Sequence, residues 1–203
     1  MNSFKPRFER KYLIPKSKLD LVRKSFFLNS PAYDVRSVYL DSLDGIFLRS
    51  RLDSVEPRVK LRYRSYNEDP QLFLEVKASH RGRKYKWRQP VDGLKNHNLQ
   101  TLLQFDLPDW VWLNMLSITL VPRLVVQYHR RVCELGPIRV TLDEGIQYKH
   151  WIGPRGFDSE LTVLEVKSSE EPRNNEVSCF LRQLKIQPIS FSKYCYSALQ
   201  LGG

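Results

Sequence analysis

Two neighbouring stretches of alternating charged and apolar residues constrain the fold of this chain more than any other feature. They are residues 59–64 (VKLRYR) and 72–77 (LFLEVK), separated by a segment that contains Asn, Asp and Pro. Side chains point to the two faces of a β-strand in turn, so the cations of the first stretch share one face. The pattern therefore predicts an antiparallel hairpin with one apolar face and one charged face.

The charged face of this hairpin carries four cations and one carboxylate, namely Lys60, Arg62, Arg64, Lys77 and Glu75. Like charges at this spacing repel each other, so we expect an anion to lie among them. A sheet with one face in water would also explain a half-charged hairpin. The alternation recurs at residues 7–14 and 83–88 (RKYKWR), and this recurrence favours anion binding.

The overall charge points in the same direction. The chain has 203 residues, and 33 Lys and Arg against 22 Asp and Glu give a net charge of +11. This balance favours polyanionic partners such as nucleic acid, anionic membrane surfaces, nucleotides or polyphosphate. The cations are spread along the sequence, so a disordered basic arm is not expected. The length and a hydrophobic content of 41% fit a single domain over residues 1–203.

The sequence also bears on the compartment. No stretch has the apolar length of a transmembrane helix, and the first residues lack the apolar core of a signal peptide. The three cysteines are far apart and odd in number, which is typical of free thiols in a reducing compartment. The four histidines have no spacing typical of a zinc site. We therefore expect a cytoplasmic protein.

About eight stretches have a strand-like pattern: residues 7–14, 35–41, 59–64, 72–77, 83–88, 120–132, 138–143 and 161–167. Helices are predicted at residues 17–28, 99–105, 109–116, 174–184 and from 192 onward, with a short helix or loop at 42–52. Strands with one charged face suit an open sheet or a closed barrel with a charged interior. A barrel of this kind requires anions and metal ions inside it.

Seven short motifs occur in an order that resembles a known family. They are residues 9–11 (ERK), 60–64 (KLRYR), 74–77 (LEVK), 128–130 (YHR), 139–143 (RVTLD), 164–167 (LEVK) and 191–194 (FSKY). Together they resemble the vacuolar transporter chaperone (VTC) domain, a polyphosphate polymerase module of the CYTH-like triphosphate tunnel metalloenzymes. The resemblance extends from about Arg7 to Tyr196, nearly the whole chain.

The resemblance implies an α+β fold, with an antiparallel eight-stranded closed β-barrel that forms a tunnel and has helices packed outside. It also implies a divalent cation, Mn²⁺ or Mg²⁺, and nucleoside triphosphate and polyphosphate as ligands. Nucleic acid is not an expected partner on this reading. With no membrane segment in the sequence, export of a product would need a membrane partner protein.

The resemblance assigns roles to individual residues. Phosphate contacts in the reaction would come from Lys11, Arg62, Arg64, Lys77, Arg130, Arg139 and Lys193. Further substrate contacts would come from Lys60, Lys86, Tyr128 and Ser192. Metal-binding carboxylates would be Glu165, Glu9 and Glu75.

One departure from the family pattern affects the predicted chemistry. Many tunnel enzymes open with two glutamates and a lysine at alternating positions, but Arg7 stands where the first glutamate would be. VTC-type members tolerate this change, which reduces the supply of metal-binding carboxylates and weakens a purely hydrolytic reading. We therefore expect a metal-dependent polyphosphate polymerase. A triphosphatase or tripolyphosphatase on the same fold is the first alternative, and a non-catalytic polyanion-binding module is the second.

Overall fold

The computed structural model describes residues 8–93, 108, 109, 111, 118–169 and 175–202. Ten strands occur in these ranges: β1 Phe8–Ile14, β2 Tyr33–Asp41, β3 Arg58–Tyr66, β4 Leu72–His80, β5 Arg83–Val91, β6 Val121–Leu135, β7 Ile138–His150, β8 Gly156–Ser159, β9 Thr162–Ser168 and β10 Pro188–Ile189. Four helices accompany them: α1 Lys16–Phe26, α2 Ile46–Leu52, α3 Glu176–Gln183 and α4 Lys193–Leu201. The predicted helices at 99–105 and, except for residues 109 and 111, at 109–116 lie outside the described residues.

The strand order corrects the predicted barrel. Hydrogen-bonded neighbours follow the order β10-β1-β9-β7-β6-β2-β3-β4-β5, and β8 pairs with β7. The antiparallel α+β class is confirmed. The described residues, however, form a sheet of ten strands in an open order, so the prediction of a closed barrel of eight strands was wrong. The two additional strands, β8 and β10, have four and two residues. Such short segments carry too little alternation to be recognised in a sequence.

Two compact units can be distinguished. The first comprises the described parts of Met1–Asp34, Tyr128–Ile146 and Asp158–Phe191, and the second those of Val35–Gln127, Gln147–Phe157 and Ser192–Gly203. Each unit has its own hydrophobic core. The prediction of one VTC-like domain over residues 1–203 stays a prediction.

The core of the first unit contains the apolar faces of α1 and α3. Val22 of α1 and Val177 and Leu181 of α3 are fully buried among strand residues of β1, β7 and β9. The helices predicted at residues 17–28 and 174–184 therefore each turn apolar residues toward the core. Helix α3 begins where its N-cap residue, Asn175, accepts a hydrogen bond from the backbone N–H of Ser178 at 2.8 Å.

The second unit contains the predicted hairpin, which is confirmed as β3 and β4. Leu61 pairs with Val76 in the core, and these apolar residues alternate with the charged ones along both strands. Strand β5 extends the sheet and continues through Pro90 to Val91, beyond the predicted stretch of residues 83–88. Proline is tolerated here because β5 is the last strand in the order, so its outer edge needs no hydrogen-bond donor.

A buried carboxylate connects α2 and α4 within the second unit. Asp41, at the end of β2, accepts hydrogen bonds from the backbone N–H groups of Phe47 and Leu48 at 2.9 and 3.0 Å. Its Oδ2 also accepts a hydrogen bond from Tyr194 Oη at 2.5 Å. Burial first, and then the Asp41 carboxylate, raise the pKa of Tyr194, so the phenol stays protonated and donates. Asp41 thereby fixes the start of α2 and of α4.

Candidate functional site

The second unit contains a cluster of cations around Glu75, which we call the Glu75 cluster. Strand register explains how it forms, because Arg62, Glu75 and Arg88 lie directly opposite one another on β3, β4 and β5. Arg64 lies two residues further along β3, and Lys86 two residues before Arg88 on β5. The period of two therefore places all five side chains on one face of three adjacent strands.

Glu75 is contacted by four cations. Arg62 donates to Oε2 from Nε at 2.8 Å and from Nη2 at 2.5 Å. The nitrogen atoms of Arg64, Lys86 and Arg88 lie 4.0, 3.7 and 3.8 Å from its carboxylate oxygens. One carboxylate cannot neutralise four cations, so the cluster has a surplus of positive charge. Arg62 and Arg64 are also buried, where an uncompensated charge is costly. The arrangement is therefore suited to a multiply charged anion.

The cations change the ionisation of two neighbouring side chains. Burial opposes ionisation of Glu75, but Arg62, Arg64 and Lys86 outweigh it and lower the pKa of its carboxyl to about 2. Tyr39, on β2, accepts a hydrogen bond from Arg62 Nη1 at 3.2 Å. Burial likewise opposes its ionisation, and the cations Arg62, Lys60 and Arg64 outweigh burial and lower the pKa of its phenol to about 7. Both shifts report a strongly positive local potential.

A row of lysines lies beside the Glu75 cluster. Lys60, Lys77 and Lys86 stand directly opposite one another on β3, β4 and β5. Cross-strand lysines repel each other, so this row also favours an anionic ligand. Lys60 Nζ donates to Ser192 Oγ at 3.1 Å. Ser192 is the N-cap of α4, and Lys193 follows it.

The first unit contains a separate group of charges, which we call the Glu165 cluster. Lys11 and Glu165 are paired across β1 and β9, and Lys11 Nζ lies 3.3 Å from Glu9 and 4.0 Å from Glu165. Lys167 also forms an ion pair with Glu165. Burial opposes ionisation of Glu165, but Lys167, Lys11 and Arg130 outweigh it and lower the pKa of the carboxyl to about 2. Glu165 is therefore an anion at neutral pH.

Two further predicted arginines lie in the first unit. Arg130 donates from Nε and Nη2 to the two carboxylate oxygens of Asp143, at 2.6 and 2.8 Å. Its guanidinium also lies 5.2 Å from the ring centroid of Tyr128. Arg139 is half-exposed, stands opposite Lys167 and lies 3.4 Å from Glu134. Arg130 is thus fixed in orientation by a bidentate pair, while Arg139 retains access to solvent.

The carboxylates differ in how well they suit a metal ion. No group of three or more His, Cys, Asp and Glu side chains in the described ranges could hold a metal ion. Glu165 and Glu9 both contact Lys11 Nζ, so the two carboxylates lie on the same face of β1 and β9. They fit a hard cation that takes its other ligands from water and substrate phosphate. Glu75 has four cations within 4.0 Å, two of its hydrogen bonds come from Arg62, and it fits better as the group that orients this arginine.

The predicted site residues fall into these two groups. Lys60, Arg62, Arg64, Glu75, Lys77, Lys86, Ser192 and Lys193 belong to the second unit. Lys11, Glu9, Tyr128, Arg130, Arg139 and Glu165 belong to the first. The prediction that all of them face a single tunnel stays a prediction.

Sequence reasoning did not select three residues that the structure places in contact with predicted ones. Arg88 contacts Glu75, Tyr39 contacts Arg62, and Asp143 binds Arg130. The alternation of residues 83–88 already placed Arg88 on the face of Lys86, so its position was available as a signal. No such signal pointed to the contact between Tyr39 and Arg62, because this contact depends on the pairing of β2 with β3.

Comparison with known proteins gives one family and a set of structures. The sequence model of the VTC domain family matches residues 6–201. No curated protein matches the sequence. Among the described residues, no helix is long and apolar enough to cross a membrane.

Three solved structures share the fold at low sequence identity. The Hippeastrum protein HpAC1, whose dominant activity is that of a triphosphatase, has a TM-score of 0.68 and 15% identity, with 96% of each chain covered. A candidate adenylate cyclase from Bacillus halodurans has a TM-score of 0.57 and 15% identity, over 91% of this chain and 92% of that one. The PH1819 protein from Pyrococcus horikoshii has a TM-score of 0.53 and 12% identity, over 98% and 100%. At these identities the likeness concerns the fold.

Proposed function

The chain belongs to the VTC domain family, and from this premise we propose that it is a metal-dependent polyphosphate polymerase. It transfers the terminal phosphoryl group of a nucleoside triphosphate to a growing polyphosphate chain. The observation that carries the proposal is the Glu75 cluster, in which one carboxylate faces four cations within 4.0 Å. Such a surplus of positive charge, with two of its four cations buried, suits a multiply charged phosphate better than a singly charged ligand.

Phosphoryl transfer depends on positioning and charge neutralisation more than on a protein nucleophile. Arg62 and Arg64 would bind phosphate oxygens through N–H groups that point away from Glu75, and Lys60, Lys77 and Lys86 would act as point charges. In the first unit, Lys11, Arg130 and Arg139 would likewise contact phosphate oxygens. Tyr128, Ser192 and Lys193 add further contacts to the phosphates.

The proposed phosphoryl transfer needs no general base, because the attacking oxygen carries no proton that must be removed. The bond between the terminal phosphorus and its bridging oxygen breaks, and the nucleoside diphosphate leaves with that oxygen. A new bond forms between this phosphorus and a terminal oxygen of the chain, which is already anionic. The cations around the phosphates stabilise the charge that spreads over the transferring oxygens.

We propose Mn²⁺ or Mg²⁺ as the cofactor, held by Glu165 with Glu9. A divalent cation bound there would polarise the transferring phosphoryl group. Lys167 and Lys11 orient the Glu165 carboxylate and keep it ionised. Glu75 remains a weaker candidate as a ligand, because Arg62 already donates twice to its Oε2 and Lys86 and Arg88 lie near its Oε1.

A triphosphatase is the second candidate, favoured by the dominant triphosphatase activity of the Hippeastrum protein with the same fold. Product analysis separates the two. After incubation with ATP and Mn²⁺, a polymerase gives long phosphate chains on a gel, whereas a triphosphatase releases only orthophosphate. Absence of both products would leave a non-catalytic polyanion-binding module, with metal-independent binding and a steep salt dependence.

The proposal also covers location and partners. We propose a cytoplasmic protein whose ligands are nucleoside triphosphate and polyphosphate, and we expect no nucleic-acid partner. Polyphosphate is too highly charged to cross a bilayer unaided, so any export of the product would require a membrane partner protein.

A further inference from the structure

The charged face of the hairpin changes its chemistry along the strands. On β3 the residues of this face run Lys60, Arg62, Arg64 and Tyr66, and on β4 they run Lys77, Glu75 and Phe73. On β5, the residue opposite Phe73 is Pro90. The face therefore passes from lysines through arginines to an aromatic and apolar end, which we call the aromatic end and define by Tyr66, Phe73 and Arg88.

The three side chains of the aromatic end contact one another. The rings of Tyr66 and Phe73 meet edge to face, with centroids 6.2 Å apart. The guanidinium carbon of Arg88 lies 3.9 Å from the centroid of Phe73 and 5.3 Å from that of Tyr66. Arg88 Nε also lies 3.8 Å from the Glu75 carboxylate, so the guanidinium of Arg88 contacts both the aromatic end and the Glu75 cluster.

A nucleoside triphosphate has the same order of chemistry along its length. Its phosphates are anionic, and its base is a flat aromatic ring at the opposite end. A polyphosphate chain, by contrast, is anionic throughout and has no group that matches Tyr66 or Phe73. Bases stack on aromatic rings and on arginine guanidinium planes. Arg88, about one-third exposed, offers such a plane next to the phosphate-binding cations.

We propose that the aromatic end binds the base of the nucleoside triphosphate donor by stacking, while the lysines and arginines of the same face hold its phosphates. This inference rests on the proposed function and adds the part of the site that distinguishes a nucleotide from inorganic tripolyphosphate. Stacking tolerates any base, because every base has an aromatic face. ATP and GTP should therefore bind with similar affinities.

The test is the ratio of the affinity for ATP to the affinity for tripolyphosphate. Both affinities are measured by calorimetry with excess chelator, so that no turnover occurs. Phe73→Leu keeps an apolar side chain and removes the ring, and Arg88→Lys keeps the charge and removes the plane. We expect the affinity of Phe73→Leu for ATP to fall roughly tenfold while its affinity for tripolyphosphate stays within about twofold. Arg88→Lys should change the ratio in the same direction.

Tyr85→Leu is the matched control, because Tyr85 lies on the opposite face of the sheet, where it packs against the core. It should leave the ratio unchanged. Equal loss of both affinities in Phe73→Leu and Arg88→Lys, or no loss in either, would overturn the inference and leave the proposed function standing. Wild-type protein that binds neither ATP nor tripolyphosphate would overturn both. Because each ratio is taken within one variant, a partial loss of folded protein does not alter it.

Discussion

Arg62 donates two hydrogen bonds to the same oxygen of Glu75, from Nε at 2.8 Å and Nη2 at 2.5 Å. This pair, together with Tyr39 Oη on Nη1, fixes the guanidinium in a buried position. An arginine held in this way needs little reorganisation to receive a phosphate, because its orientation is set before the ligand arrives. The pair also makes the folded protein sensitive to acid, since Glu75 must stay ionised to hold Arg62.

The first prediction concerns pH. Glu75 has a pKa of about 2 in the folded state, below its ordinary value of 4.5. A carboxyl whose pKa is lowered by folding stabilises the protein above its unfolded pKa, and this contribution disappears as pH falls toward the folded value. Between pH 4.5 and 2 the wild type should therefore lose about 3 kcal/mol of unfolding free energy through Glu75. Denaturant titrations at several pH values measure this loss.

Two variants make this test specific. Glu75→Gln should lose less unfolding free energy over the same pH interval, although Glu165, with its own lowered pKa, leaves it some acid sensitivity. Glu68→Gln removes an exposed glutamate in the turn between β3 and β4 and should behave like the wild type. The same pH dependence in Glu75→Gln and the wild type would contradict the role given to Glu75.

The second prediction concerns phosphate affinity. Arg62→Ala should weaken tripolyphosphate binding tenfold or more, because a charge-assisted contact to phosphate contributes roughly 1.5–3 kcal/mol. The fold should persist, since Arg64, Lys86 and Arg88 still surround Glu75. Arg155→Ala removes an exposed cation and lowers the net charge equally, so it controls for long-range attraction. Equal affinities of the two variants, measured by calorimetry, would refute the assignment of Arg62.

Arg130 calls for a milder substitution than alanine. Its guanidinium holds Asp143, which is 1% exposed, so Arg130→Ala should destabilise the fold as well as weaken binding. Arg130→Lys keeps the charge and removes the bidentate geometry. We expect it to fold and to bind tripolyphosphate more weakly than the wild type in the same calorimetric assay. Unchanged binding would place Arg130 among the structural residues.

The third prediction compares two helix caps. Ser192 Oγ accepts hydrogen bonds from the backbone N–H of Cys195 at 3.4 Å and from Lys60 Nζ at 3.1 Å. Asn175 caps α3 by accepting a hydrogen bond from the backbone N–H of Ser178, which is not a predicted phosphate-binding residue. Each alanine variant should lose about 1 kcal/mol of unfolding free energy. Only Ser192→Ala should also bind tripolyphosphate more weakly, and an equal effect of both caps on affinity would make Ser192 a purely structural residue.

The fourth prediction concerns the metal. Glu165→Gln should abolish turnover of ATP with Mn²⁺ or Mg²⁺ while tripolyphosphate still binds through the cations. Glu9→Gln should have the same effect to a smaller degree, because one or two carboxylates suffice for a cation that also binds phosphate and water. Turnover and binding of each variant are measured with each metal and with excess chelator. Full turnover by Glu165→Gln, or wild-type turnover in chelator, would leave Glu165 as a partner of Lys167 only.

Much of the fold could be predicted because single strands carry a strong local signal. Alternation located β3 and β4 and placed Arg62 and Glu75 on one face. Residues with side-chain acceptors marked the starts of α3 and α4. What alternation lacks is information on which strands become neighbours. Alternation therefore left an open sheet and a closed barrel both possible; the family resemblance implied eight closed strands, whereas the described residues form an open order of ten.

Strand β7 illustrates a second limit. The sequence prediction ended this strand at Asp143. The structure continues it to His150, with Gly145 at a φ of 57° inside the strand. A Cβ at this position would lie 3.1 Å from His129 Cδ2, so glycine permits a close approach here. Only the neighbouring strand makes this requirement visible.

The most direct measurement of the central claim follows the fate of a labelled phosphoryl group. The protein is incubated with Mn²⁺, a tripolyphosphate primer and ATP labelled in its terminal phosphate, and the products are separated on a gel. We expect label in chains longer than the primer, and none in such chains in a parallel reaction with Glu165→Gln. Label found only in orthophosphate, or equal chain growth by Glu165→Gln, would contradict it.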